Sequence, residues 1–130
     1  MTTPHPCPCD TLRAYPDCCE RFHQGRPAPM AVTLMRSRYS AFALGLEQYL
    51  LDTWHPSTRP DRIDLDTNTV WTGLTIEHTE AGKAWDTEGI VQFSATWCSP
   101  ADEGVLRERS RFTMVDQRWY YVGGLHSTSS

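Results

Sequence analysis

The hydrophobic period of the chain changes once. From Met30 to about Trp54, apolar residues recur every three or four positions, at Met35, Tyr39, Phe42, Leu46, Tyr49 and Leu50, which predicts helix. Gly45 interrupts the pattern, so two helices or one broken helix are expected. The run Trp54-His55-Pro56, with Pro60 beyond it, ends the helical part. From Trp71 onward the period is two. Leu74 and Ile76 share a face in Thr72–Thr79, and Val91, Phe93, Ala95 and Trp97 share one in Gly89–Cys98. In Val105–Val115, Leu106, Phe112 and Met114 lie opposite Arg107, Arg109 and Arg111. A fourth strand, Arg118–Val122, follows a tight turn at Asp116-Gln117. The intervening segments are short enough for hairpins. About two to three helices followed by an antiparallel meander of about four strands predict an α+β fold, with helices covering the apolar face of a curved sheet.

The segment before the helices has no such period. It holds Cys7, Cys9, Cys18 and Cys19, spaced C-x-C-x8-C-C, while Cys98 is the fifth cysteine. A tetrahedral zinc ion with Zn–S of about 2.3 Å sets neighbouring sulfurs about 3.8 Å apart. Pro8 and Pro16 favour the bends that bring each pair of thiols to that distance. A Cys18–Cys19 disulfide would be a strained vicinal bridge. A redox site would prefer C-x-x-C beside a βαβ unit, and neither occurs. His5 and His23 flank the cluster and could replace a thiolate, but four cysteines already complete the shell. One structural Zn2+ on Cys7, Cys9, Cys18 and Cys19 is therefore expected. A closed site of this kind leaves no position for a substrate.

Composition narrows the setting. The chain has 130 residues and a formal net charge of −4. That size suits one domain with a short N-terminal appendage. There is no basic-then-apolar leader and no apolar run long enough for a bilayer, so a cytoplasmic protein that does not engage a membrane is expected. The acidic balance argues against a broad duplex-binding surface. Eleven of the twelve basic residues are Arg, which favours forked, directional contacts. Arg107, Arg109 and Arg111 could meet RNA, but with Glu77 on a neighbouring strand a solvated cross-strand salt ladder is the stronger expectation.

The pattern "CPC…Y..CC" resembles the SEC-C zinc knuckle, whose Gly-Ser-Gly turn is here replaced by Asp10-Thr11-Leu12. With "MRSRYSAF", "TWHPSTRP" and "RWYYV", the chain from about Cys7 to Gly124 resembles the YchJ-like (UPF0225) family. The resemblance implies a knuckle over residues 1–26, an NTF2-like cone over 27–124 and a frayed tail over 125–130. It also implies a docking or adaptor role toward a protein partner. A homodimer through the sheet is a separate expectation. The alternative is a small-molecule site or small enzyme in the cone. Its candidates are Arg36, Arg38, Tyr39, Trp54 and His55, against structural arginines and a helix-capping histidine as the plainer reading. Trp71, Trp85, Trp97 and Trp119 could line the same cavity, and Cys98 reads as a small buried hydrophobe.

Overall fold

A computed structural model describes residues 7–9, 14–63 and 68–124. Asp10-Thr11-Leu12, His5 and the 125–130 tail lie outside the described residues. A 3-10 turn, Tyr15–Asp17, leads into a single-turn helix α1, Glu20–His23. The long helix α2 runs Ala31–Leu44 and the short helix α3 runs Glu47–Asp52. The break falls at Gly45, as the pattern predicts. Gly45 adopts a left-handed φ of 75°, and the Leu46 N–H closes on Ala41 O at 2.8 Å. Glycine takes that conformation without a side-chain clash, so the helix ends there.

Four strands follow: β1 Val70–Ala81, β2 Glu88–Cys98, β3 Glu103–Val115 and β4 Arg118–Gly124. They pair antiparallel in the order β1-β2-β3-β4. Register shifts at Trp71/Gly73 and Ile76/His78 in β1, and at Arg111/Phe112 between β3 and β4, bend the sheet. Asp116 and Gln117 turn the last hairpin with φ of 51° and 68°. The free edge of β4 is covered. The His55 N–H bonds Tyr121 O, and the Tyr121 N–H bonds Thr53 O, each at 2.8 Å.

The concave face carries Leu74, Val91, Phe93, Ala95 and Phe112, all buried, and α2 packs across it. Ser37 through Ala41 are buried in an unbroken run, longer than one helical turn. Helix α2 therefore has no solvent face at its centre. The four knuckle cysteines and Phe22 belong to the same hydrophobic cluster as Leu34, Val91 and Phe112, so the 26/27 boundary follows no break in the core.

The outer face is the salt ladder. Arg107 meets Glu77 at 3.4 Å, Arg111 meets Glu88 at 3.6 Å, and Arg109 bonds Glu80. A dimer through this face would have to cover those charge pairs.

Four expectations need correction. Leu46 is not on the α2 stripe; it precedes α3, because the chain has already turned at Gly45. Trp85 is 78% exposed on the β1–β2 hairpin, with the Lys83 ammonium 5.7 Å from its ring. Trp97 lies over Gly104, where an added Cβ would stand 2.8 Å from its ring, and does not line the cavity described below. Cys98 is half-buried at the end of β2, where the sheet runs out of cover.

The start of α2 sits on the β1–β2 hairpin. The Ala31 N–H bonds Gly82 O at 2.9 Å. A Cβ on Gly89 would stand 2.5 Å from the Gly82 backbone. Gly89→Ala should therefore destabilise the fold by about 2 kcal/mol or more, read as a lowered urea midpoint. An unchanged midpoint would show that this crossing tolerates a methyl group.

Candidate metal centre and concave cavity

Cys7, Cys9, Cys18 and Cys19 come together as expected. Their sulfurs all lie within 4.8 Å of one another. Cys9 and Cys18 are 3.5 Å apart, and Cys18 and Cys19 are 4.0 Å apart. These spacings fit a tetrahedral ion bonded to sulfur at about 2.3 Å. The local chain explains the approach. The 3-10 turn holds the Cys18 N–H on Tyr15 O at 3.0 Å, and Cys19 N-caps α1, so the adjacent thiols diverge around one bend.

The electrostatics also call for a cation. Bonded first to Cys19 and then to Cys9, the Cys7 thiol is held far below the ordinary thiol range. Cys19 is pushed far above it, first by its bond to Cys7 and then by its bond to Cys9. One negative charge is easily held, and a second is resisted. Metal-binding cysteines bind as thiolates, and a cation held among these sulfurs would offset the charge that Cys19 resists.

Helix α2 grips this cluster with one side. The Ser40 hydroxyl donates to Cys19 Sγ at 3.2 Å and lies 3.4 Å from Cys7 Sγ. Arg36 Nη1–H donates to Cys9 O at 2.9 Å. His23 Nε2–H donates to Ser37 O at 2.8 Å, which makes its Nδ1 the acceptor for the Tyr15 hydroxyl at 2.6 Å. His23 is therefore a bracket between knuckle and helix, not a ligand, and burial lowers its pKa. Ser37 gives its proton to Leu34 O, so it accepts from the Tyr49 hydroxyl at 2.7 Å.

The other side of α2 faces a cavity of about 170 Å3 against the sheet. Arg38 lies at its wall, 3% exposed. Its Nη1 donates to Leu50 O at 2.8 Å and to Thr53 Oγ1 at 2.7 Å, which ties α2 to the end of α3. The guanidinium stacks 4.4 Å from the centre of the Tyr121 ring and 5.2 Å from Trp54. Burial pushes its pKa down to about 10, so it stays charged at neutral pH. Opposite, Glu108 accepts from the Ser110 and Tyr121 hydroxyls, the latter at 3.1 Å. Burial, followed by the Glu108 charge, pushes the Tyr121 hydroxyl up to about 12, so it remains a donor.

Of the five pocket candidates, Arg38, Tyr39 and Trp54 line this cavity and Arg36 and His55 do not. Arg36 turns to the knuckle. His55 is held in its own turn, where Nδ1 accepts the Ser57 N–H at 3.1 Å, so its ring caps no helix carbonyl through that atom. Both arginines bond backbone carbonyls, Arg36 that of Cys9 and Arg38 that of Leu50. Trp71 reaches the cavity, whereas Trp119 is buried elsewhere with its indole N–H 3.4 Å from Pro29 O. Sequence reasoning missed Glu108, Ser110 and Tyr121. Parity could have found the first two, because they occupy inward positions between Leu106 and Phe112.

A four-cysteine knuckle on a bent antiparallel sheet with one crossing helix defines a SEC-C-like centre joined to an NTF2-like cone. Residues 30–124 match the family "YchJ, middle NTF2-like domain". A UPF0225 protein of Streptomyces coelicolor is 52% identical over 125 residues, covering 95% of this chain and 97% of that protein. One from Chromobacterium violaceum is 49% identical, covering 92% and 91%. The solution structure of a SEC-C motif containing protein from Rhodopseudomonas palustris superposes with a TM-score of 0.80 at 28% identity, covering 95% of this chain and 100% of that one. A crystal structure of a SEC-C motif containing protein from Psychrobacter arcticus gives 0.76 at 28% identity, covering 97% and 85%. The chain belongs to the YchJ-like UPF0225 family.

Hydrogen bonds to ligand sulfurs orient and stabilise a metal centre. Ser40→Ala should weaken metal retention by about tenfold in chelator competition, with the thermal midpoint of the loaded protein little changed. Equal retention would remove Ser40 from the centre.

Proposed function

We propose that the protein is a small-molecule-binding cone whose helix wall is held in place by one structural zinc ion. The carrying observation is the cavity lined by a buried, charged Arg38 beside aromatic side chains. Four thiolate donors suit zinc and leave no open coordination position, so the ion supports folding rather than a reaction. Among the described residues no helix is long and apolar enough to cross a membrane. A reducing, cytoplasmic compartment fits five cysteines that form no disulfide among the described residues.

Docking of a protein on the knuckle has less support. The cysteines are 7% exposed or less and are turned toward α2. An RNA surface on β3 has less still, because its three arginines are engaged by Glu77, Glu80 and Glu88.

Native mass spectrometry should record the loss of one zinc mass on chelation, and none to lose in Cys18→Ser/Cys19→Ser. A reduced native protein free of zinc would overturn the metal assignment. Leu106 lines the cavity yet is 41% exposed, which places it at the rim. Leu106→Trp should abolish small-molecule binding seen by ligand-observed NMR while the fold persists. Undiminished binding in that variant would locate the ligand elsewhere.

A further inference from the structure

The cavity contains two opposite charges that do not pair. Arg38 takes part in none of the ion pairs among the described residues, all of which lie on the outer face. Its two hydrogen bonds go to a carbonyl and a hydroxyl, and both use Nη1. That leaves Nε and Nη2 of the fork for other acceptors. Glu108, across the cavity, accepts from the Ser110 and Tyr121 hydroxyls, both on Oε2, and keeps acceptor capacity on its carboxylate. Tyr121 separates the two, with its ring under the guanidinium and its hydroxyl on the carboxylate.

Buried Arg38 and half-buried Glu108 line one space, where a charge acts more strongly than it does in water. An anion in that space would gain from Arg38 and be repelled by Glu108. A cation would meet the reverse. A neutral group with an acceptor and a donor satisfies both.

We propose that the cavity takes a small, net-neutral molecule with a planar apolar body, its acceptor toward Arg38 and its donor toward Glu108. This rests on the small-molecule reading above. Size supports a single ring with one polar substituent, since about 170 Å3 is close to the ~150 Å3 apolar cavity known to hold benzene. Trp54, Trp71 and Tyr39 supply flat walls for such a body. Primary amides and lactams have the required edge.

The test uses the zinc-loaded full chain and three probes of similar shape: benzamide, benzoate and benzylamine. Titrations follow the indole N–H signals of Trp54 and Trp71. Benzamide should bind at least about tenfold more tightly than either ion, given the cost of one unmatched charge at a few ångströms. Glu108→Gln removes the negative charge with little change in shape. It should strengthen benzoate and weaken benzylamine, each by about tenfold. Tightest binding of benzoate or benzylamine by the unaltered protein would overturn this ligand class and leave the small-molecule reading standing. Binding of none of the three at the indole signals would overturn both. If Glu108→Gln does not fold, the probe ranking on the unaltered protein still decides.

Discussion

Helix α2 is buried on every side at its centre, and the rest of the structure follows from that constraint. A polar side chain on such a helix cannot turn to water, so each must find a protein partner or destabilise the fold. Arg36 reaches Cys9 O, Ser37 sits between Leu34 O and Tyr49, Arg38 reaches the end of α3, and Ser40 reaches the cysteine sulfurs. No buried side-chain nitrogen or oxygen among the described residues lacks a partner. The short run Arg36 to Ser40 thus joins the knuckle, both neighbouring helices and the cavity wall. The cysteine cluster and the cavity share one helix, so the same element positions the residues of both.

Charge is sorted by face. Outside, arginines and glutamates pair across strands in water, where solvent screening leaves exposed pairs little effect on stability. Inside, Arg38 and Glu108 are stabilised by neutral groups and aromatic faces instead of each other. Because Arg38 is buried and Glu108 half-buried, these two charges act on a ligand more strongly than the exposed outer pairs act on a partner.

Parity of the strands, the break at Gly45 and the four-cysteine spacing were legible because each is a local rule. A period of two sets which face a residue takes, a glycine ends a helix, and thiols near in sequence can be near in space. The same parity marked Glu108 and Ser110 as polar residues facing inward, a signal the apolar neighbours concealed. His55 and Trp85 misled for a related reason. Residue type suggested chemistry for both, but a turn holds the first in its own backbone and a hairpin holds the second in solvent.

The sequence by itself determined the order of elements, the sheet's faces and which four cysteines come together. Those depend on periodicity and spacing along the chain. Only the tertiary structure decided that the knuckle is fused to the core, that Arg36 and Arg38 point to different sites, and that Arg38 and Glu108 face one cavity unpaired. Those relations join residues dozens of positions apart. They are set by how α2 rolls against the sheet, which no local pattern encodes.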